Sequence, residues 1–387
     1  MERTYIKDLT ASTLYYFRNH DVKSLTSKSK RTRADNLRAA LELKTVPTPE
    51  PIPGTAIIKV LSAPVLSYAK HVYNGMRKYP YPTPFTPGSS AIGRVAALGA
   101  DCTSLSIGQL VFVDPVIRSR DNPSDIFLMG LHQGATAGSK KMMESVWTLE
   151  RWNVGRILST ATRERYTEAH LATMAQFMVV YGGLSDIGLR AGETIVVVPA
   201  TGGFGGAAVA VSLAMGASVI AMGRTETTLA KLSSKFPERV KTVKMTGDLE
   251  SDAEALRKAS NGCIDAVYDI PPPMAAKSTH LKSCIMAIKH SGRISLMDGI
   301  YDDVPIPYHL VVHKDMKLQG KWMYGKEQIK IVIKMIETGV LKIGNLGGVE
   351  TVGDFTFENW EEALDAADEH AGWGSSVVMR PAEMASS

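Results

Sequence analysis

A short glycine cluster between two apolar, strand-like runs constrains this chain more than any other feature. Over Glu193–Leu232 it reads ETIVVVPATGGFGGAAVAVSLAMGASVIAMGRTETTLAKL. The β-branched run Thr194–Val198 leads into Gly202, Gly203, Gly205 and Gly206, these open onto an Ala-rich helical stretch, and a second run follows at Ser218–Met222. Strand, glycine turn, helix and strand in that order form the repeating unit of a parallel sheet covered by helices. The turn is tight, a bound phosphate must approach the backbone with no Cβ in the way, and the helix must pack close to the strand. The start of that helix offers unpaired N–H groups and a positive dipole end, which suits a pyrophosphate. Thr201, Gly202, Gly203, Phe204 and Gly205 are therefore candidate contacts. Two registers fit, Ala200-x-Gly202-x-x-Gly205 and Gly203-x-Gly205-x-x-Ala208, and the role of each glycine depends on which one holds.

The end of the second run selects the dinucleotide. A turn that binds NAD carries an acid there for the ribose 2′-hydroxyl, whereas this chain has Gly223, Arg224 and Thr225. A carboxylate would repel a 2′-phosphate, while a guanidinium grips one with paired, charge-assisted bonds. The expected cofactor is NADP(H), with Arg224 as the main reader and Thr225 in support.

The chain has 387 residues, too many for one hydrophobic core, since cores stop growing near about 250–300 residues. Two textures are present. From Ala39 to about Asp114, short strand-like runs (Ala40–Thr45, Ala56–Ser62, Ser90–Ala97, Gln109–Val113) alternate with proline-rich loops at Pro47–Gly54 and Tyr79–Gly88, the pattern of an irregular antiparallel β domain. From about Tyr166, helical stretches at Thr167–Tyr181 and Gly206–Met215 alternate with apolar runs that include Ile264–Asp269 and Arg293–Met297, as in a parallel sheet buried on both faces. Amphipathic stretches at Lys326–Gly339 and Phe357–His370 follow. The fold class is α/β.

Charge adds little about partners. Six cations and one acid between Lys23 and Arg38 account for the whole net charge of +5, and this stretch reads as a solvated surface segment. It has no interleaved aromatic residue for base stacking, so nucleic acid is not an expected partner. Cys102, Cys263 and Cys284 lie far apart, which fits a reducing compartment and neither a disulfide framework nor a zinc knuckle. No apolar run approaches the roughly 20 residues that span a bilayer, and Met1–Asp8 is too polar for a signal peptide. The expected location is the cytoplasm.

The stretches VPTPEPIPGTAIIKVLSAPVLSYAKHVYNG and FTPGSSAIGRVAALGADCTSLSIGQLVFVDP, taken with the coenzyme segment, resemble the medium-chain dehydrogenase/reductase superfamily, in its zinc-independent, quinone-oxidoreductase-like branch. The resemblance runs from about Leu37 to Arg380. It implies a GroES-like β-rich catalytic domain over residues 1–165, a Rossmann doubly wound cofactor domain over 166–322, and a return to the catalytic domain over 323–387. It also implies cofactor contacts at Ile270, Gly299 and Lys321, and a homodimer paired near Met316–Met323. The departures matter as much. The zinc ligands of the family's alcohol dehydrogenases fall on Leu66, on Gly88-Ser89-Ser90 and near Phe177, which cannot supply the three protein ligands that a catalytic zinc needs. The structural-zinc cysteines are missing as well.

In the zinc enzymes a hydroxyl residue and a histidine of one block relay a proton, and the matching positions here are Tyr68 and His71. An i,i+3 pair shares one helical face, so the resemblance makes these two the candidate catalytic residues, with Tyr68 on a developing oxyanion and His71 buffering it. Met178, Tyr181, Tyr301, Tyr308, Trp322, Met323 and Tyr324 are candidates to line a cleft between the domains, and Pro271–Pro273 to shape the loop over the nicotinamide. His280, His290, His309 and His313 show no metal-ligand spacing and receive no role. The expected activity is NADPH-dependent delivery of hydride to a conjugated carbonyl compound (enone, quinone or enoyl group). Two alternatives stay open: a carbonyl reductase or alcohol dehydrogenase, and a non-catalytic NADPH-binding protein that contacts nucleic acid.

Overall fold

The computed structural model describes residues 41, 43, 48, 50–82, 85–145, 153–157, 160–297 and 299–382. The basic stretch Lys23–Arg38 and most of the run Ala40–Thr45 lie outside the described residues.

Two six-stranded sheets carry the fold. The strands of the first are β1 (Ala56–Val65), β2 (Ala91–Leu98), β3 (Leu110–Asp114), β6 (Asn153–Ile157), β13 (Glu350–Thr356) and β14 (Ser375–Arg380). Their order is β13-β14-β1-β2-β3-β6, antiparallel throughout except for the parallel pair β13 and β14. The last strands of the chain thus complete the sheet that the first ones begin. A hairpin of β4 (Val116–Arg118) and β5 (Ile126–Leu128) hangs from it. This is the GroES-like part.

The second sheet is parallel throughout, with β7 (Thr194–Val198), β8 (Ser218–Gly223), β9 (Val240–Lys244), β10 (Ala266–Asp269), β11 (Arg293–Leu296) and β12 (Lys317–Gly320) in the order β12-β11-β10-β7-β8-β9. Its central strands TIVVV and AVYD are almost wholly buried, as strands covered by helices on both faces must be. The helix Gly203–Ala214 is apolar all round and buried from Gly205 to Leu213, because small side chains let it sit close to the sheet. This is a Rossmann domain, and its strand order reverses between β7 and β10. A crevice opens at such a switch point, beyond the carboxyl ends of the strands.

The runs read from the sequence at Ala56–Ser62, Ser90–Ala97, Gln109–Val113 and in the parallel sheet all recur as strands within a few residues. The stretch Thr167–Tyr181 forms two helices, Glu168–Ala172 and Met174–Asp186. Between them the Thr173 hydroxyl donates to the His170 carbonyl at 2.8 Å, satisfying an acceptor that the ended helix leaves over. Strand β9, which buries only Val240 and Val243, and the mostly polar helix Leu249–Ser260, whose buried apolar residues are Ala253 and Leu256, are not in the sequence reading.

A buried polar contact ties the two parts together. The Tyr324 hydroxyl, from the segment after β12, donates to Asp114 Oδ1 at the end of β3, 2.8 Å away, and Arg118 donates to the Tyr324 carbonyl. Burial pushes the Asp114 carboxyl above its ordinary range, opposed by the Val116 N–H and the Tyr324 hydroxyl.

Candidate functional site

At the switch point a cleft of about 1280 Å³ runs between the two parts. One end is made by the Rossmann loops. Gly202 caps the helix Gly203–Ala214 in extended conformation, and no side chain covers that helix end, so its first N–H groups have no internal acceptor. A Cβ on Gly202 would meet nothing within 4 Å, whereas one on Gly205 would collide with the Pro199 carbonyl and one on Gly206 with the Trp373 ring. The register is therefore Ala200-x-Gly202-x-x-Gly205: Gly202 leaves the open cradle and Gly205 permits the close packing. The residues fit a dinucleotide pyrophosphate.

Thr201, Gly202, Gly203, Phe204, Gly205, Arg224, Thr225, Ile270, Gly299 and Lys321 all line the cleft. Gly223 lies beneath it, buried at the end of β8, where a Cβ would strike Thr201. Arg224 is exposed, and no ion pair with any described residue engages it. The nearby carboxylate Glu226 is held by Lys244 at 3.2 Å. Lys321 differs from Arg224, because its ammonium sits 2.7 Å from Asp186, which balances its charge. The cations lining the cleft are Arg77, Lys78, Arg224, Lys277 and Lys321, and no Asp or Glu joins them among the described residues. A cavity of that composition favours anionic guests.

Between β10 and the helix His280–Ala287, a chain of polar groups reaches the cleft. His280 Nε2 lies 2.8 Å from Asp269 Oδ1, His280 Nδ1 lies 2.7 Å from the Ser278 hydroxyl, and both ionisable side chains are buried. Burial pushes the Asp269 carboxyl up and the His280 contact opposes it. Sequence spacing gave His280 no role, since its partner stands eleven residues upstream on a strand; the structure makes it the brace of the loop beside the nucleotide cradle.

The other end of the cleft is aromatic. Tyr68 lines it, with the Arg77 guanidinium 4.0 Å from the centre of its ring and the Tyr79 ring edge-on at 6.2 Å. His71 does not line it. Tyr68 precedes the helix Ala69–Tyr73 as its N-cap, with φ −107° and ψ 5°, so the i,i+3 pair does not share one helical face. The His71 ring points instead to Asp368, with Nε2 3.4 Å from Oδ2. The structure therefore separates the two residues of the expected relay. Of the aromatic and methionine candidates, Tyr301, Trp322 and Met323 line the cleft with Pro271 and Pro272, Met178, Tyr181 and Tyr324 are buried core, and Tyr308 is 75% exposed away from it. Leu66 and Ser89 lie at the cleft wall and Phe177 is buried. No group of three or more His, Cys, Asp or Glu that could hold a metal ion occurs among the described residues. Sequence reasoning missed Arg77, Tyr79 and His132, which stand in loops without periodicity.

Residues 52–151 match the alcohol dehydrogenase GroES-like domain. Among curated proteins, the chain is 21% identical over 360 residues to sorbitol dehydrogenase of Bacillus subtilis, covering 87% of this chain and 95% of that one. It is 28% identical over 233 residues to acryloyl-coenzyme A reductase of Metallosphaera sedula, covering 58% and 66%. Among solved structures, AibC superposes with a TM-score of 0.73 at 18% identity, covering 99% of this chain and 100% of the other. Crotonyl-CoA carboxylase/reductase does so with a TM-score of 0.69 at 14% identity, covering 89% and 85%. A GroES-like sheet joined to a Rossmann sheet with a cleft at the switch point is the architecture of a two-domain dehydrogenase. The chain carries an alcohol dehydrogenase GroES-like domain, and in sequence and fold it is similar to oxidoreductases of the medium-chain dehydrogenase/reductase superfamily.

Proposed function

We propose that the chain is an NADP(H)-dependent oxidoreductase that works without zinc, in the quinone-oxidoreductase-like branch, and delivers hydride to a conjugated carbonyl compound such as an enone, a quinone or an enoyl group. The observation that carries this reading is the contrast at the cleft's nucleotide end: an open Gly202 cradle beside Arg224, a guanidinium in no ion pair with any described residue, and no lining carboxylate. The N–H groups at the start of the helix Gly203–Ala214 bind the pyrophosphate, and Arg224 and Thr225 hold the 2′-phosphate. When bound, the nicotinamide supplies the hydride. Pro271, Pro272 and Trp322 give this part of the cleft an apolar wall. Leu66, Ser89 and Phe177 offer no metal-ligand set, so charge that develops on the substrate oxygen must be met by hydrogen-bond donors. Tyr68 is the donor whose hydroxyl also provides the proton, and His71, held by Asp368, has no part.

Likeness to acryloyl-coenzyme A reductase and to crotonyl-CoA carboxylase/reductase supports reduction of an activated C=C bond. Likeness to sorbitol dehydrogenase supports a second reading, reduction of the carbonyl itself. Among the described residues the outer edge of β12 is unpaired, which supports a homodimer joined near Met316–Met323. Incubation with NADPH and an enone, followed by product analysis, tests the function. A saturated ketone is the expected product, an allylic alcohol would favour the second reading, and no NADPH consumption across a panel of enones, quinones and ketones would overturn both.

A further inference from the structure

His132 stands in the tight loop after β5, and its backbone is pinned on both sides. Its N–H donates to the Leu128 carbonyl at 3.1 Å, and its own carbonyl accepts from the Leu128 N–H at 2.8 Å. The ring is fixed as well. Its Nδ1 accepts the Gly134 N–H at 2.9 Å, and a nitrogen that accepts from an amide carries no hydrogen of its own. The proton of the neutral ring is therefore on Nε2. Charging the ring would set two N–H groups against each other, and burial opposes the charge too, holding His132 below the ordinary histidine range.

The far edge of the ring faces the cleft. His132 lines it between Tyr79 and Trp322, whose ring centres lie 5.2 and 5.6 Å away in edge-on contacts. Nε2 makes no hydrogen bond with a described residue. Arg77 and Lys78 line the same end, and no carboxylate there competes for the Nε2 hydrogen among the described residues. An oriented N–H donor in an aromatic, cationic cavity suits a developing oxyanion.

We propose that His132 is a catalytic residue, a neutral imidazole whose Nε2–H donates to the carbonyl oxygen of the conjugated substrate and holds the negative charge that gathers there. This inference rests on the reading of the site as a reductase of conjugated carbonyl compounds. A bound reduced nicotinamide nucleotide would supply the hydride pair for a new bond to the β-carbon, losing the two electrons that the substrate gains. The C=C π pair would then form a double bond from the α-carbon to the carbonyl carbon, and the carbonyl π pair would pass to oxygen. The enolate collapses by taking a proton at the α-carbon from the Tyr68 hydroxyl, which solvent restores. His132 keeps its own proton throughout, since a neutral imidazole polarises a carbonyl without being consumed.

The test has a spectroscopic arm and a kinetic arm. In protein labelled with ¹⁵N-histidine, NMR near neutral pH is expected to show one ring with hydrogen on Nε2 only and an accepting Nδ1, and that signal disappears in His132→Gln. An Nδ1–H tautomer or a charged ring at this position would overturn the proposal. In the kinetic arm, His132→Phe is expected to lower kcat on an enone by about 10²–10³-fold, the loss typical of one oxyanion donor. His132→Gln, whose amide still donates, recovers at least tenfold of that, and NADPH affinity by fluorescence stays unchanged in both. A Phe variant with unchanged kcat would sink the role of His132 while leaving the reductase reading intact. A wild type that reduces no conjugated carbonyl would take both down.

Discussion

The two ends of the cleft are built by opposite means. The proposed nucleotide end is made by one continuous stretch of backbone amides and a single guanidinium, in which Gly205 and Gly206 are set by collisions that a Cβ would cause while Gly202 stands open. The substrate end is assembled from Tyr68, Tyr79, His132 and Trp322, which come from separate segments and meet through ring edges. The first is backbone architecture, which tolerates few substitutions. The second is a set of side chains on loops, where chemistry can change without the fold changing.

Tyr68→Phe gives the sharpest division. Turnover on an enone should fall by about 10²–10⁴-fold, the usual contribution of a proton-transferring group, while the dissociation constant for NADPH stays within experimental error. Parallel loss of both in steady-state and fluorescence measurements would mean that the two ends are not separable. Gly205→Val asks the reverse question. Its side chain must enter backbone at Pro199, so stability should drop by about 1–3 kcal/mol, as overpacking does, and nucleotide affinity should fall with it. Gly202→Ala, with nothing nearby to strike, should weaken NADPH binding and leave the melting temperature almost unchanged.

How much of this could be read in the sequence follows the same divide. The parallel sheet, its glycine turn and the absent acid at the end of β8 are local patterns, set by residues a few positions apart, and each keeps its place in the structure. The pairing of Tyr68 with His71 fails because i,i+3 spacing brings side chains together only inside a helix, and Tyr68 stands at its edge. His132 gave no signal at all: its tautomer depends on an amide two residues away in a turn, and its neighbours on two distant loops. Contacts fixed by tertiary packing leave no periodicity to detect.

Arg224→Ala narrows the comparison to one side chain. Loss of a charge-assisted contact is worth about 1.5–3 kcal/mol, so the preference for NADPH over NADH should shrink by roughly 10–150-fold in fluorescence titration, with enone turnover at saturating nucleotide unchanged. An unaltered preference would remove Arg224 from cofactor selection. The smallest effect concerns pH. Burial holds His132 and His170 below the ordinary histidine range, so the unfolded chain takes up protons that the folded one refuses. Their contribution to stability is complete above the unfolded value of ~6.5 and declines as pH falls below it. Thermal unfolding between about pH 7.5 and about pH 5.5 should show a decline that is shallower in His132→Gln, and an identical slope would show that His132 titrates alike in both states.

Because β14 pairs with β1 and Trp373 packs against Gly206, residues more than three hundred positions apart must meet before the GroES-like sheet is whole. During synthesis, at about 5–20 residues per second, the Rossmann strands emerge and can associate while β1, paired with β2 on one side, still waits for β14 on the other. For that interval its open edge is exposed to pairing with other chains. The long reach of the chain back to its beginning makes the catalytic half the later one to mature, and the half most in need of protection on the ribosome.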